Sequence, residues 1–508
     1  MPKLLAIDIG TSACKAALFD ETGAVIAQQS EEYPVYYPRE GWAEQDPEQW
    51  WEAVCKAIRE MLLRSGVTPG EIAGIGVDGQ SWSAIPMDGE GKALCNTPIW
   101  FDTRSTEICE RLKARIGEKE IFSVCGNPVQ PGYSLPKILW FRENHPGVYR
   151  QAEQFLQANS FIVYRLTGVF SQDKCQGYGL QCYDMKKAAW NLEMCREMGI
   201  DPKKLPEIYA CHDVVGTVTK RAAEQTGLLE GIPVVAGGLD AACGALGVGV
   251  LNRGETQEQG GQAGGMSICI DTYHADPRLI LSYHVVPDRW LLQGGSVGGG
   301  GVMRWMEQEF GAEERLLAKE KGTNTFYELD QKAASIPAGS EGVVFLPYMA
   351  GERSPIWDGQ AKGIYYGLDY AKTRAHFIRA GMEGVAFALR HNLEVAEECG
   401  VTVEVLRSMG GAANSRIWTQ MKADVTGKPI IVPSSDTATT WGAAMLAGVG
   451  VGVYKGFDEA VQQTVQVKRE HAVNWEEHEG YTDSYETYLA LYQALRPVMH
   501  RGGQKAER

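Results

Sequence analysis

Five short glycine-rich segments constrain this chain more than any other feature. They are Asp8-Ile9-Gly10-Thr11-Ser12, Gly237-Gly238-Leu239-Asp240, Gly260-Gly261-Gln262-Ala263-Gly264-Gly265, the run from Gly298 to Gly301, and Gly410-Gly411. Each adjoins a short apolar run of strand composition, so each reads as a tight turn at the edge of a buried strand. Glycine makes up 59 of 508 residues, while charged (22%) and hydrophobic (44%) shares are those of an ordinary globular chain. The excess is therefore local, and collagen, coiled coil and extended disorder are excluded.

Between these turns the chain alternates strand and helix signals. Residues 4–8, 15–20 and 24–28 predict a meander of three strands. Asp46-Pro47 opens a helix, with Asp at the N-cap, Pro at N1, and Trp50, Val54, Ile58 and Met61 on one face. Residues 72–78 and 81–87 predict strands, and 160–166 and 201–205 predict helical segments. Residues 232–236 form a buried strand that runs into Gly237-Gly238 and a helix of small residues from Asp240. Residues 248–260 read as a crossover. Strands at 266–271 and 289–293 then repeat the opening theme beside glycine turns. This implies a weak internal duplication, with domains at 1–247 and 248–508. Near the C-terminus Tyr481, Tyr485, Tyr488, Tyr492 and Leu495 follow helical spacing and predict a core-facing stripe. Residues 500–508 predict a frayed tail.

Net charge is −15, which disfavours nucleic acid and anionic membranes as partners through the bulk field. The start of the chain is charged too soon for a signal peptide, and no apolar run reaches about 18 residues. A cytoplasmic location is expected. Twelve cysteines without a C-x-x-C pair read as reduced, mostly buried thiols. The histidines show no metal-ligand spacing.

Two nucleotide-site patterns fail. Gly74-Ile75-Gly76-Val77-Asp78-Gly79 matches G-x-G-x-x-G, but its glycines lie inside the strand rather than between strand and helix. There is no P-loop. Asp8 with Gly10-Thr11-Ser12 and Lys15 is more informative: an acid ends a buried strand, and the turn beyond it is rich in N–H and hydroxyl donors. Such a turn can cradle phosphate oxygens, with Asp8 near a hydrated Mg²⁺, or it can be a plain hairpin. Asp240 stands at a helix start among small residues. The helix N-terminus should keep it ionised, as a base for a hydroxyl proton, although an N-cap role explains it equally. Gly410-Gly411-Ala412-Ala413-Asn414 can lie flat against a ring such as adenine, or be a tight strand-to-helix turn.

Taken together, these places resemble the FGGY carbohydrate kinases, and their xylulokinase branch most closely. The run from Gly132-Tyr133-Ser134-Leu135-Pro136-Lys137 to Asn144 is similar to the first family signature. Gly363-Ile364-Tyr365-Tyr366-Gly367-Leu368 through His376-Phe377 to Glu383 is similar to the second, with Gly381 departing from it. The segment from Leu346 to Pro355 is similar to a xylulokinase segment, and the resemblance covers residues 4–495.

The resemblance implies an α/β fold of two actin-like (ribonuclease-H-like) domains with an interdomain cleft for ATP and sugar. It implies Asp240 as catalytic base, Asp8 and Asp240 as metal-associated acids, and ATP and Mg²⁺ as cofactors. Thr11, Ser12 and Lys15 fall in the first phosphate hairpin. Gly261, Gly264, Gly300 and Gly301 fall in the second phosphate region, where the family's Gly-Thr-Ser is missing. Gly410, Gly411 and Asn414 fall in the adenosine motif. The sugar loop carries Asp78, Gln80, Ser81 and Trp82 where xylulokinases carry Met-His-Gly and glycerol kinases Arg-Glu. Trp100 and Asp102, in a W-x-D-x-R run, are the second sugar contact, as apolar wall and hydroxyl acceptor; Asp102 with Arg104 can equally be a structural ion pair. The implied activity is ATP-dependent phosphorylation of a neutral ketose such as D-xylulose, or a related polyol. The alternatives are a non-catalytic sugar sensor on the same scaffold, an ATPase, or a kinase for another polyol or sugar acid. A homodimer is compatible with this reading.

Overall fold

The computed structural model describes residues 1–435 and 437–501, so most of the tail expected at 500–508 lies outside the described residues. The chain forms two compact units. The first comprises Met1–Leu251, Asp271–Leu291 and Thr437–Val465; the second comprises Asn252–Ile270, Leu292–Asp436 and Gln466–Arg508. Both are discontinuous in sequence, where the sequence suggests one cut after residue 247.

The first unit is built on a sheet of which the predicted meander forms one end. Strands β1 (Lys3–Ile9), β2 (Ala13–Asp20) and β3 (Val25–Glu32) pair antiparallel in order. On its other side β1 pairs parallel with Ile72–Gly79, which pairs parallel with Pro233–Val235, and that strand pairs antiparallel with Val214–Thr217. Alternation along β1 is weak because both sheet faces are covered, as expected for a central strand. One cover is helix α1 (Pro47–Ser65): Asp46 caps it by accepting from the Glu48 N–H, Pro47 sits at N1, and Trp50, Val54, Ile58 and Met61 are buried as the spacing predicts.

Helix Ala438–Gly450 covers the other face and packs against helix Asp240–Gly247. Glycines permit the approach. A Cβ on Gly442 would lie 1.8 Å from the Cys243 carbonyl oxygen, one on Gly247 1.8 Å from that of Ala438, and one on Gly76 1.9 Å from that of Ala443. The small residues after Asp240 therefore serve close helix packing.

The second unit repeats the scheme. Gly264–Ile270 pairs antiparallel with Glu255–Gly260, which pairs parallel with Val405–Met409; Ile430–Pro433 follows parallel and Val467–His471 antiparallel. The predicted duplication is thus visible in strand order and direction. Residues 255–260, expected within a crossover, are a central strand. Residues 81–87 form a strand only at Ile85–Met87.

The long helix Arg374–Glu398 and helix Thr482–Met499 line this unit's core, where Tyr481, Tyr485, Tyr488 and Tyr492 are buried and Leu495 is partly so. A Cβ on Gly381 would lie 1.9 Å from the terminal methyl of Met306, a fully buried side chain of helix Gly300–Phe310, so that methionine would have to shift to admit one. Among the described residues no helix is long and apolar enough to cross a membrane.

Candidate functional site

In the first unit, strand register gathers three acids. Asp8 lies opposite Asp78 on the parallel neighbour and opposite Lys15 on β2. Asp78 in turn lies opposite Gly238, two residues before Asp240. The Gly237 turn that makes this possible has φ +75°, and a Cβ on it would fall 1.9 Å from the Val77 carbonyl oxygen. Only glycine fits that conformation and that space.

Asp240 is the first residue of helix Asp240–Gly247, and its carboxylate accepts the Ala241 N–H at 2.6 Å. Its pKa is raised to about 7, chiefly by burial and then by the charge of Asp8. This corrects the expectation that the helix end keeps it ionised. A helix terminus is worth at most about 1–2 kcal/mol, roughly one pKa unit, whereas desolvation reaches about 3–5 units. Asp78 is fully buried, and neither of its carboxyl oxygens accepts a hydrogen bond. Burial and the charges of Asp8 and Asp240 hold its carboxyl well above the usual range. Asp8 itself is raised chiefly by burial and lowered by the charge of Lys15.

The first hairpin and the sugar loop are tied together. The Trp100 indole N–H donates to Thr11 Oγ at 3.0 Å. Gln45 donates to the Thr11 carbonyl at 2.8 Å and accepts from Gln80 at 2.8 Å. Gln80 Oε1 is buried and accepts no bond. Ser12 is exposed, and Thr11, Lys15, Ser81, Trp82 and Trp100 are half-buried. Trp82 has φ 61°, its N–H donates to Gln157, and its ring meets Tyr133 edge-on at 4.6 Å.

Asp102 has both oxygens engaged. It accepts from the Ala43 N–H at 2.7 Å and from the Arg104 guanidinium at 2.8–3.1 Å, and is fully buried. Arg104 also bridges Glu44 at 2.7 Å. The hydroxyl-acceptor role is therefore replaced by the structural ion pair, because no lone pair of Asp102 faces open space.

Sequence reasoning missed Lys137. Its ammonium is fully buried and donates to the carbonyls of Trp82 (3.0 Å), Ile99 (2.7 Å) and Gly132 (2.6 Å). Burial lowers its pKa to about 7. It fastens both sugar-loop segments to one point. A lysine among the apolar residues of Ser134–Asn144 was the available signal; Gln45 offered none.

In the second unit, the turn between Glu255–Gly260 and Gly264–Ile270 meets the start of helix Gly300–Phe310. The N–H groups of Gly300 and Gly301 donate to the carbonyls of Gly261 (2.7 Å) and Gln262 (2.9 Å). These two donors, expected for phosphate, are engaged within the protein and fix the turn instead. Gly261 and Gly264 stay half-buried on it. Gly410, Gly411 and Asn414 are exposed, and Ser415 caps the next helix by accepting the Trp418 N–H. Behind the Gly260 turn, Lys422 donates to Glu258 at 2.5 Å and Ser408 donates to the same carboxylate, all buried.

Asp8, Asp78 and Asp240 offer hard oxygen donors, with the two Asp78 oxygens accepting nothing, so the residues present fit Mg²⁺.

Residues 3–247 match the N-terminal domain model, and residues 272–451 the C-terminal domain model, of the FGGY family of carbohydrate kinases. The chain belongs to this family. It is an enzyme of the carbohydrate kinase class. It is 32% identical to a xylulose kinase of Bacillus subtilis over 97% of both chains. The structure matches a xylulose kinase of Rhodospirillum rubrum with a TM-score of 0.88 and 29% identity, covering 98% of this chain and all of that one. A gluconate kinase of Lactobacillus acidophilus matches with a TM-score of 0.89 and 25% identity, over 97% and 98% of the two chains.

Proposed function

We propose that the protein phosphorylates a neutral ketose such as D-xylulose, or a related polyol, with ATP as donor. The mechanism is supported by Asp240, which opens its helix with one carboxylate oxygen on the Ala241 N–H and whose pKa is pushed up to about 7 by burial and the charge of Asp8. A base with that pKa accepts a hydroxyl proton at neutral pH and returns it readily to solvent. Asp240 takes the proton as the substrate oxygen attacks the terminal phosphorus, and ADP departs with the bridging oxygen.

The two units act as actin-like (ribonuclease-H-like) domains. Residues 1–247 supply sugar and phosphate binding, and residues 248–508 supply adenosine binding. Thr11, Ser12 and Lys15 meet the terminal phosphates, with Gly261 and Gly264 on the second turn. Gly410, Gly411 and Asn414 lie against the adenosine. Asp8 and Asp240 would hold Mg²⁺, which supplies charge neutralisation to the triphosphate. Asp78, Gln80, Ser81, Trp82 and Trp100 line the sugar side, with Lys137 as positioning residue. The enzyme works in the cytoplasm.

A neutral sugar is favoured because the cations next to the sugar loop are engaged: Arg104 by Asp102 and Glu44, Lys137 by three carbonyls. A sugar carboxylate would need one of them.

ADP release by the full chain, measured with D-xylulose, other ketoses, polyols and gluconate, tests the reading. Stimulation by a ketose or polyol and none by gluconate is expected. Release independent of any sugar, or stimulation by gluconate alone, would contradict it.

A further inference from the structure

We infer that Asp173, Cys175 and Cys211 form a binding site for a thiophilic divalent cation of the Zn²⁺ type, directly behind the turn that carries Asp240. Topology brings the three together. Ser171–Asp173 pairs parallel with Glu207–Tyr209, Asp173 lies opposite Tyr209, and the Lys174 N–H donates to the Tyr209 carbonyl at 3.0 Å. Two residues beyond Asp173 is Cys175 and two beyond Tyr209 is Cys211, so the thiols lie side by side although 36 positions separate them in the sequence. No C-x-x-C spacing could reveal this.

One carboxylate oxygen and the two sulfurs all lie within 4.8 Å of one another, and all three residues are buried. Tetrahedral Zn²⁺ with sulfur at about 2.3 Å and oxygen at about 2.0–2.2 Å needs them to close by roughly 1 Å. The carboxylate is already aimed: Asn159 donates to one oxygen at 3.0 Å, and the Gln176 N–H to the other at 2.9 Å. Such outer contacts orient a metal ligand. A cavity of about 30 Å³ borders Cys211 and is large enough for a water.

The cluster also grips the turn carrying Asp240. The Leu239 N–H donates to Cys175 Sγ at 3.1 Å, and the Gly237 N–H to the Cys211 carbonyl at 2.9 Å. Without a cation, the Cys175 thiol donates to Asp173 at 2.9 Å. Binding replaces that proton and the Cys211 proton, so two protons leave to solvent for each cation bound.

The test is a Co²⁺ titration of the reduced, metal-stripped full chain under anaerobic conditions, followed by displacement with Zn²⁺. One equivalent of Co²⁺ should give the intense visible bands of a tetrahedral centre with sulfur-to-metal charge transfer. A parallel Zn²⁺ titration should release two protons per equivalent. Cys211→Ser and Asp173→Asn should each weaken Co²⁺ binding at least tenfold, while Cys55→Ser, a buried thiol on α1, should not change it. Weak octahedral bands, fewer than two protons from the unmodified protein, or unaltered binding by Cys211→Ser would overturn the assignment. The proton count needs no variant, so it decides even if a substitution prevents folding.

Discussion

Asp8 faces Asp78 across the parallel strands of the first sheet; Glu258 faces Ser408 at the equivalent register of the second. Each acid stands two residues before the glycine that begins its turn, Gly10 or Gly260. The surroundings then diverge. Glu258 receives the Lys422 ammonium and the Ser408 hydroxyl, and is neutralised in place. Asp8 meets another carboxyl and has Lys15 alone as its opposing charge. One strand scheme thus serves two ends. Where the acid is neutralised, the turn is a rigid platform of backbone groups. Where it is not, the excess negative charge raises Asp240 toward neutrality and creates a demand for a cation.

The comparison breaks first at Asp240. Asp240→Asn keeps the shape and removes the base, and kcat should fall by about 10²–10⁴-fold, far more than ATP affinity changes. Steady-state kinetics alongside ATP titration check this; a variant retaining most of its kcat would remove the first unit's chemical role.

The next largest effect is in the second unit. Lys422→Met leaves Glu258 buried without its cation and should destabilise the protein by about 3–5 kcal/mol in denaturant unfolding. Adding Glu258→Gln should restore most of that loss. If the double variant is no more stable than the single one, the pair is not the neutralising device described here.

A smaller, opposite change follows from making the first unit resemble the second. Asp78→Ser places a hydroxyl donor opposite Asp8, as Ser408 stands opposite Glu258. The folded Asp78 carboxyl titrates above its unfolded value, so the folded state holds a proton that the unfolded state has lost, and stability falls as pH rises through that window. The variant should therefore be more stable by about 1–3 kcal/mol near pH 8, and the gain should shrink toward pH 4. A gain independent of pH would point to packing instead.

Much of this was legible in the sequence, for local reasons. The Asp46-Pro47 cap, the tyrosine stripe and the glycine turns are set by neighbours within a few residues. The glycine turns singled out Asp8 and Asp240, and the family resemblance implied their roles. What was not legible depends on register and burial. Nothing near Asp78 says that its neighbour across the sheet is another acid. The helix-end argument for Asp240 failed because burial and Asp8, both tertiary, outweigh a terminal dipole. Lys137 and Gln45 work through carbonyls and amides distant in sequence. Gly300 and Gly301 fall in a phosphate region by sequence, but the carbonyls that engage them, Gly261 and Gln262, lie on another turn. The segments Asp271–Leu291 and Thr437–Val465 join the first unit through packing that leaves no compositional mark.

The base at Asp240 is raised above the usual carboxylate range, and the pH dependence of kcat/KM for the sugar, at saturating Mg²⁺ and ATP, measures it. The ratio should rise tenfold per pH unit up to a break at or below about 7, because the charge of Mg²⁺ lowers what burial and Asp8 raise, and level off above it as Asp240 loses its proton. A profile flat from pH 5 to 8 would contradict it, because Asp240 would then be ionised throughout.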